Sequence, residues 1–213
     1  MPPVYNLPPA PAAPGRRARR KAELHERILR AAMDLFARQG FFATTIEQIT
    51  QAADVGKGTF FNYFPSKEHV LAGFGEFQFA RMRAALAEAQ AGRLPIQQVL
   101  RRLVKALSEE PGRSPAFVRS LMLANLSSEP VRLLFRRKLM QGRRRLGRIF
   151  ALGQQRGEIR RDLKPARVAR VFQQMFLGTI LLWAAHPPSR LVAWVEPAFE
   201  VFWSGIAARR GVK

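Results

Sequence analysis

Residues 43–67 constrain the fold of this chain more than any other stretch. They read ATTIEQITQAADVGKGTFFNYFPSK. The order of apolar, polar and turn-forming residues predicts a helix, a tight turn, a second short helix and a stop. That layout is typical of a helix-turn-helix unit, in which the second helix enters the major groove of DNA.

The ends of the two predicted helices carry the expected residue types. Thr45 and Gln48 have the spacing of a capping box, in which two side chains satisfy backbone donors at a helix start. Asp54 follows the first helix and tolerates the left-handed backbone that a tight turn often needs. Gly56 is an acceptable N-cap for the second helix, and Pro65 ends that helix.

Short helix pairs also occur in proteins that never meet DNA, so the pattern needs further support. Phe60 and Phe64 lie four residues apart and share one face, which we assign to the core. The remaining faces of the second helix carry hydroxyls, an amide, a lysine and aromatic rings rather than the Glu/Lys mixture of a solvated helix. A basic run at residues 16–21 precedes the first helix of the chain. Both features favour a nucleic-acid partner.

The segment resembles the amino-terminal domain of the TetR family of bacterial transcriptional regulators. The resemblance covers about 45 residues and is carried by four stretches, which are His25–Phe36, Gln39–Phe41, Thr44–Ile46 and Phe64–Glu68. The chain departs from the family pattern at four positions. Asp54 replaces the usual glycine, Gly56 a frequent Ser or Thr, Phe61 a common tyrosine and Tyr63 a common histidine.

The outer faces of the motif, together with the matching positions in the family, predict the DNA contacts. Four residues are expected to touch mainly phosphates, namely Thr45, Lys57, Tyr63 and Lys67. Four others are expected to approach base edges, namely Gly58, Thr59, Phe61 and Asn62. Asn62 can pair with an adenine edge, and Phe61 can pack on a thymine methyl group.

The composition agrees with a binding protein and gives no support to an enzyme. The 213 residues include no cysteine and only three histidines, which are scattered along the chain. Disulfides and thiolate metal sites are therefore excluded, and a reducing cytosol is allowed. No nucleophile–base or paired-carboxylate pattern is visible. We expect a cytoplasmic protein without a cofactor or a metal site.

The net charge of +21 favours an anionic partner, although most of it lies outside the motif. Residues 132–161 alone hold 11 basic side chains and one acidic side chain. Two interpretations stay open. This stretch is either an auxiliary surface for DNA or an acidic ligand, or an arginine-rich solvated helix face that reflects genome composition.

The rest of the chain predicts further helices, so the expected fold class is all-α. Residues 1–21 are expected to form a disordered leader, rich in proline and then in basic residues. Its basic part is either a flexible arm that adds electrostatic affinity for DNA or a solvated segment with no specific role. Residues 22–67 are expected to form the three-helix DNA-binding domain, and residues 68–213 a larger helical domain for effector binding and dimerisation. A long helix from Ser66 to about Ala91 would join the two domains.

The last two helices, predicted at 165–185 and 189–208, are apolar on most sides. The uncharged stretch of 19 residues from Val171 to Ser189 approaches the length of a membrane span, but internal Gln, His and Pro residues favour a buried helix. A second subunit would cover these helices, and the resemblance likewise implies a homodimer that is held together by a four-helix bundle. The predicted interface residues are Phe172, Phe176, Ile180, Trp183, Val195, Phe199 and Phe202.

The resemblance also implies an effector pocket among the middle helices, although each candidate could equally be ordinary core. The candidates are Phe74, Phe77, Met82, Phe117, Met122 and Phe135. The hypothesis is therefore a homodimeric regulator, most often a repressor in this family, that a small molecule releases from a palindromic operator. The alternatives are an architectural DNA-binding protein with weak sequence preference and, less well supported, an enzyme with a helical core.

Overall fold

The computed structural model describes residues 15–109, 111–186 and 189–208. This part of the chain is helical throughout and contains no β-strand, which confirms the predicted fold class. A 3₁₀ turn at Pro111–Arg113 separates the fifth helix from the sixth. The helices are α1 Arg16–Gln39, α2 Ile46–Ala52, α3 Lys57–Tyr63, α4 Lys67–Ala91, α5 Ile96–Glu109, α6 Pro115–Ser127, α7 Glu129–Gln155, α8 Pro165–Ala185 and α9 Leu191–Ile206.

Helix α1 begins earlier than the sequence pattern indicated. The basic run at residues 16–21 forms its first turns, so the prediction of a flexible arm is wrong for these residues. The physical reason is that arginine, lysine and alanine have high intrinsic helix propensity and extend a packed helix outward without needing core contacts of their own. Residues 1–14, the remainder of the predicted leader, lie outside the described residues.

The helix-turn-helix unit has the predicted end geometry. The Thr45 hydroxyl accepts from the Gln48 backbone N–H while the Gln48 side chain accepts from the Thr45 N–H, which completes the capping box. Asp54 has a φ of 49° and is the only described residue other than glycine with a positive φ. Gly56 precedes α3 in an extended conformation. These three features set the angle between α2 and α3.

Two hydrophobic cores hold the molecule together, and their division does not follow the predicted domain boundary at residue 67. The amino-terminal core contains Ile28, Phe36, Ile49 and Phe60 from the helix-turn-helix region. The same core includes five residues beyond position 67, namely Val70, Leu71, Phe117, Ala124 and Val131. The larger core is built from helices α4, α5 and α6–α9. Helix α6 and the start of α7 therefore pack directly against the DNA-binding unit.

Helices α8 and α9 turn the predicted interface residues inward. Six of them are buried within a single subunit, namely Phe172, Phe176, Ile180, Trp183, Val195 and Phe199. The ring of the seventh, Phe202, contacts the rings of Phe150 and Phe172 in the same chain. Six of the seven predicted interface residues are therefore core residues of a single subunit, because both helices are apolar on two faces and these side chains face the intrachain core. Phe202 is half-buried and stays a predicted interface residue.

The exposed apolar side chains of the same two helices are Val171, Leu181, Leu182 and Val201. Helix α8 meets the length and composition requirement for a membrane span. Almost half of that stretch is nevertheless buried inside the structure, as in the core helix of a folded domain.

Candidate DNA-binding surface and internal cavity

Helix α3 presents a mixed polar and aromatic face to solvent because its apolar face is anchored. Phe60 and Phe64 are 0% and 2% exposed, and their rings pack 5.9 Å apart. Asn62 lies on the opposite side of the helix, while Phe61 lies at the edge of the core face, with its ring centroid 5.5 Å from that of Phe60 and 50% of the residue exposed. An exposed phenylalanine on a rigid helix is costly in water and suits an apolar surface such as a thymine methyl group. The arrangement can place one aromatic ring and one amide against base edges.

Lys57 and Gly58 start α3 and are exposed beside Phe61. The Lys57 ammonium forms an ion pair of 2.5 Å with the Glu47 carboxylate of α2, and both side chains are about 60% exposed. The hydrogen bond from Lys57 lowers the pKa of Glu47, and the positive charge of Lys57 adds to the effect. An exposed pair of this kind is weak and can exchange partners.

Two other predicted contact residues are less accessible than the sequence pattern indicated. Thr59 and Tyr63 are half-buried. Tyr63 packs against the amino-terminal core, and its ring centroid lies 6.2 Å from that of His25 in α1.

Helix α1 fastens the loop and the turn that flank α2. A guanidinium nitrogen of Arg27 donates to the Asp54 carbonyl at 3.0 Å, which ties the turn to α1. The Gln39 amide donates to the Ala43 carbonyl at 3.2 Å and to the Gln48 side-chain oxygen at 2.7 Å. The exposed Thr45 hydroxyl therefore sits on a loop that is held from both ends.

Lys67, a predicted phosphate contact, also makes contacts within the chain that the sequence analysis did not predict. Its ammonium donates to the carbonyls of Phe41 and Thr44 at 2.8 Å each and lies 4.5 Å from the centroid of the Phe41 ring. Burial lowers the pKa of Lys67. The side chain is engaged inside the chain, where it joins the start of α4 to the α1–α2 loop. Sequence spacing could not show this contact, because its acceptors are backbone carbonyls.

An internal cavity of about 210 Å³ lies among helices α4 to α8. Its wall is almost entirely apolar and includes four of the predicted pocket residues, namely Met82, Phe117, Met122 and Phe135. The side chains of the other two, Phe74 and Phe77, lie outside the described residues. Three residues that the sequence analysis assigned to the dimer interface also line this cavity, namely Phe172, Phe176 and Ile180.

Few polar groups face the cavity, and the sequence pattern identified none of them. They are Glu68, Gln78, Lys138 and Gln173. Gln173 is 7% exposed, accepts from the Arg143 guanidinium at 3.0 and 3.2 Å and donates to the Leu139 carbonyl at 3.0 Å. The Lys138 ammonium lies 4.9 Å from the centroid of Phe79, another wall residue. The cavity can therefore hold an apolar molecule whose polar end lies near Lys138.

The described residues contain no group of three or more His, Asp or Glu side chains that could hold a metal ion. Of the basic residues between 132 and 161, five arginines on α7 are exposed, namely Arg132, Arg136, Arg137, Arg144 and Arg148. They lie away from the helix face that packs on the core. This placement agrees with a solvated face and leaves an auxiliary binding role untested.

Two family models match the chain. Residues 28–73 match the bacterial regulatory proteins of the tetR family. Residues 79–195, more than half of the chain, match the carboxy-terminal domain of TetR/AcrR family transcriptional repressors. The boundary between the two matches falls inside α4, the helix that carries both the Lys67 contact and part of the cavity wall.

Characterised relatives cover most of the chain. The transcriptional repressor KstR of Mycolicibacterium smegmatis is 30% identical over 171 residues, which are 78% of this chain and 79% of the relative. KstR of Mycobacterium tuberculosis is 28% identical, with coverage of 78% and 74%.

Solved structures share the fold. FadR of Thermus thermophilus, a TetR-family repressor in complex with lauroyl-CoA, has a TM-score of 0.65 at 30% identity and covers 89% of this chain and 98% of its own. FadR of Bacillus halodurans has a TM-score of 0.74 at 19% identity, with coverage of 85% and 98%, and supports the fold alone. The helix-turn-helix geometry, the apolar cavity and these matches agree. This chain is a ligand-responsive DNA-binding repressor and belongs to the TetR family of bacterial transcriptional regulators.

Proposed function

We propose that the chain acts in the cytoplasm as a homodimer whose two α3 helices read the half-sites of a palindromic operator. The observation that carries this proposal is the solvent-facing side of α3, where Phe61 and Asn62 stand out from a helix anchored by Phe60 and Phe64. Lys57, Thr45 and the exposed part of Tyr63 surround that face and would bind phosphates, while Gly58 and Thr59 would allow close approach to bases. Phosphate contacts fix position on DNA, and base contacts supply specificity.

The proposed effector is a molecule with a long apolar chain, such as an acyl thioester. The cavity supports this assignment because a nearly unbroken apolar wall favours hydrocarbon over polar ligands. The T. thermophilus FadR structure, at 30% identity, holds lauroyl-CoA. Lys138, at the wall and close to the exposed arginines of α7, would favour an anionic head group.

Helix α4 would couple the cavity to the DNA-binding surface. Leu71, Gly75, Phe79 and Met82 line the cavity from this helix. Lys67, at its first position, holds the carbonyls of the α1–α2 loop. A ligand that moves α4 would thus move the loop. The loss of operator affinity would be set by how much more tightly the ligand binds the displaced arrangement of α4 than the DNA-binding arrangement.

The proposed dimer interface is the outer face of α8 and α9. Val171, Leu181, Leu182 and Val201 form its apolar part, and Val201 is 74% exposed in the single chain. Residues of this type on two adjacent helices suit a buried interface between subunits.

A cavity-filling substitution tests the effector site. Leu177 is half-buried and lines the cavity, so Leu177→Trp should weaken binding of lauroyl-CoA more than tenfold in calorimetry. Operator binding in gel shifts should persist. Leu133→Trp is the matched control, because Leu133 is exposed on α7 and does not line the cavity. Equal lauroyl-CoA affinity in all three proteins would show that the cavity is not the effector site.

A further inference from the structure

A buried hydrogen bond joins the DNA-binding unit to the wall of the cavity through a helix other than α4. The backbone N–H of Phe41, in the α1–α2 loop, donates to the Ser120 hydroxyl of α6 at 2.8 Å. Phe41 is 3% exposed and Ser120 is 8% exposed, so water does not compete for this bond. The two residues lie 79 positions apart in the sequence.

The same peptide segment is held from α4. The Phe41 carbonyl accepts from the Lys67 ammonium at 2.8 Å, and that ammonium lies over the Phe41 ring. Lys67 also holds the Thr44 carbonyl. Thr44 immediately precedes Thr45, the N-cap of α2. The position of the α2 start is therefore set jointly by a serine on α6 and a lysine on α4.

Helix α6 is itself part of the cavity wall. Phe117, Val118, Leu121 and Met122 line the cavity, and Ser120 lies among them on the side that faces the α1–α2 loop. Phe117 also belongs to the amino-terminal core. If α6 moved relative to α4, the Ser120 hydroxyl and the Lys67 ammonium would move apart. The two hydrogen bonds could then no longer hold the Phe41 backbone in the same position.

Helix α6 also contains one buried polar group that this arrangement leaves unpaired. The Nδ2 atom of Asn125 is buried without a hydrogen-bond partner among the described residues. An unpaired buried donor raises the free energy of the arrangement that contains it.

We propose that Ser120 and Lys67 are positioning residues for operator binding, which act through the Phe41 peptide to hold the α1–α2 loop and the start of α2. Ligand in the cavity then reaches the DNA-binding surface through α6 as well as α4. The regulatory part of this inference rests on the proposed function of the cavity. The positioning part stands on the three hydrogen bonds alone.

The test compares full-length wild type with Ser120→Ala, Ser120→Thr, Lys67→Met and the double variant S120A/K67M. Ser127→Ala is the control, since Ser127 is an exposed serine on the same helix. Affinity for a labelled duplex from the DNA upstream of the coding region is measured by fluorescence anisotropy, and thermal midpoints are measured in parallel. Hydrogen exchange is followed in peptides that cover residues 41–50.

S120A and K67M should each weaken operator binding about three- to tenfold, the size expected for a lost buried hydrogen bond. The double variant should bind the operator more tightly than the product of the two single effects predicts, because both hydrogen bonds hold the backbone of the same residue, Phe41. S120T and S127A should stay within about twofold of wild type. Exchange at residues 41–50 should rise in S120A and not in S127A.

Two results would overturn the proposal. One is an S120A protein that melts at lower temperature yet binds the operator like wild type, which would make the bond a purely structural contact. The other is unchanged exchange at residues 41–50. Titration with lauroyl-CoA separates the regulatory part. Lauroyl-CoA should weaken operator binding by a smaller factor in S120A than in wild type. Equal factors would overturn the proposal that α6 transmits the effect of the ligand. If lauroyl-CoA has no effect on wild type, the proposed effector class fails, while the affinity and exchange measurements still decide the role of Ser120.

Discussion

The ammonium of Lys57 lies 2.5 Å from the carboxylate of Glu47, so the first residue of α3 is paired with the first turn of α2. Both side chains are exposed, and their mutual attraction is screened by water and salt. A DNA phosphate at this position would compete with Glu47 for the lysine. If Lys57 contacts a phosphate as proposed, Glu47 opposes DNA binding in two ways, because it occupies the Lys57 ammonium and repels the DNA backbone.

Removal of the Glu47 charge should strengthen DNA binding. Glu47→Gln keeps the size of the side chain but releases Lys57, so operator affinity at 0.1 M salt should rise about two- to fivefold. Glu129→Gln, on the exposed start of α7, is the matched control and should leave affinity unchanged. Weaker binding by E47Q would indicate that the pair orders Lys57 for its phosphate contact instead of competing with it.

Loss of the Lys57 charge should weaken binding to every sequence alike. We expect Lys57→Ala to lower affinity for operator and for unrelated DNA, and to reduce the slope of log K against log salt by about one unit. Titrations at several salt concentrations provide the measurement. An unchanged slope would argue that Lys57 does not contact a phosphate.

Asn62 should determine sequence preference rather than general affinity. Asn62→Ala removes the proposed pairing with an adenine edge, which contributes about 1–3 kcal/mol of discrimination. Selection of binding sequences from a random pool should show relaxed preference at one position of each half-site, while affinity for unrelated DNA stays the same. An unaltered consensus would remove Asn62 from the base-reading set.

The outer face of α9 should hold the dimer together. Val201→Glu places a charge in the proposed interface, which typically costs several kcal/mol, so light scattering should detect monomers with little operator binding. Leu126→Glu tests an apolar residue of equal exposure on α6 and should stay dimeric. If V201E is dimeric, the subunits meet elsewhere.

The basic start of α1 should add affinity that carries no sequence preference. In the test variant five basic residues are changed to glutamine, namely Arg16, Arg17, Arg19, Arg20 and Lys21. Operator affinity and its salt dependence should both fall, and the preferred sequence should survive because base reading stays with α3. The control changes three exposed α7 residues to glutamine, namely Arg137, Arg144 and Arg148. A larger loss in that control than in the α1 variant would instead identify α7 as the auxiliary DNA surface.

Local signals in the sequence predicted the motif well, because each rests on neighbouring residues. The Thr45–Gln48 capping box, the positive φ of Asp54 and the inward positions of Phe60 and Phe64 are all present. Four cavity residues were also predicted. The identity of the effector is not visible in them, because a phenylalanine or methionine on an apolar helix face looks the same whether it lines a cavity or fills a core.

The errors concern contacts between distant segments. Helix α8 is apolar on two sides, and periodicity alone could not decide that Phe172 faces the core while Leu182 faces outward. The hydrogen bonds from Lys67 to the carbonyls of Phe41 and Thr44 were not predicted, because backbone acceptors leave no trace in the sequence. For the run at residues 16–21, charge suggested an arm, but helix propensity determined the structure.

The most direct test of the account is a competition titration of the wild-type chain. Anisotropy of the labelled upstream duplex is measured against a scrambled duplex of the same composition at 0.15 M salt, with and without lauroyl-CoA. The account predicts at least about a thousandfold preference for the operator and release of the operator, in proportion to occupancy of the cavity, when the ligand is added. Equal affinity for both duplexes would contradict it and would favour an architectural DNA-binding protein.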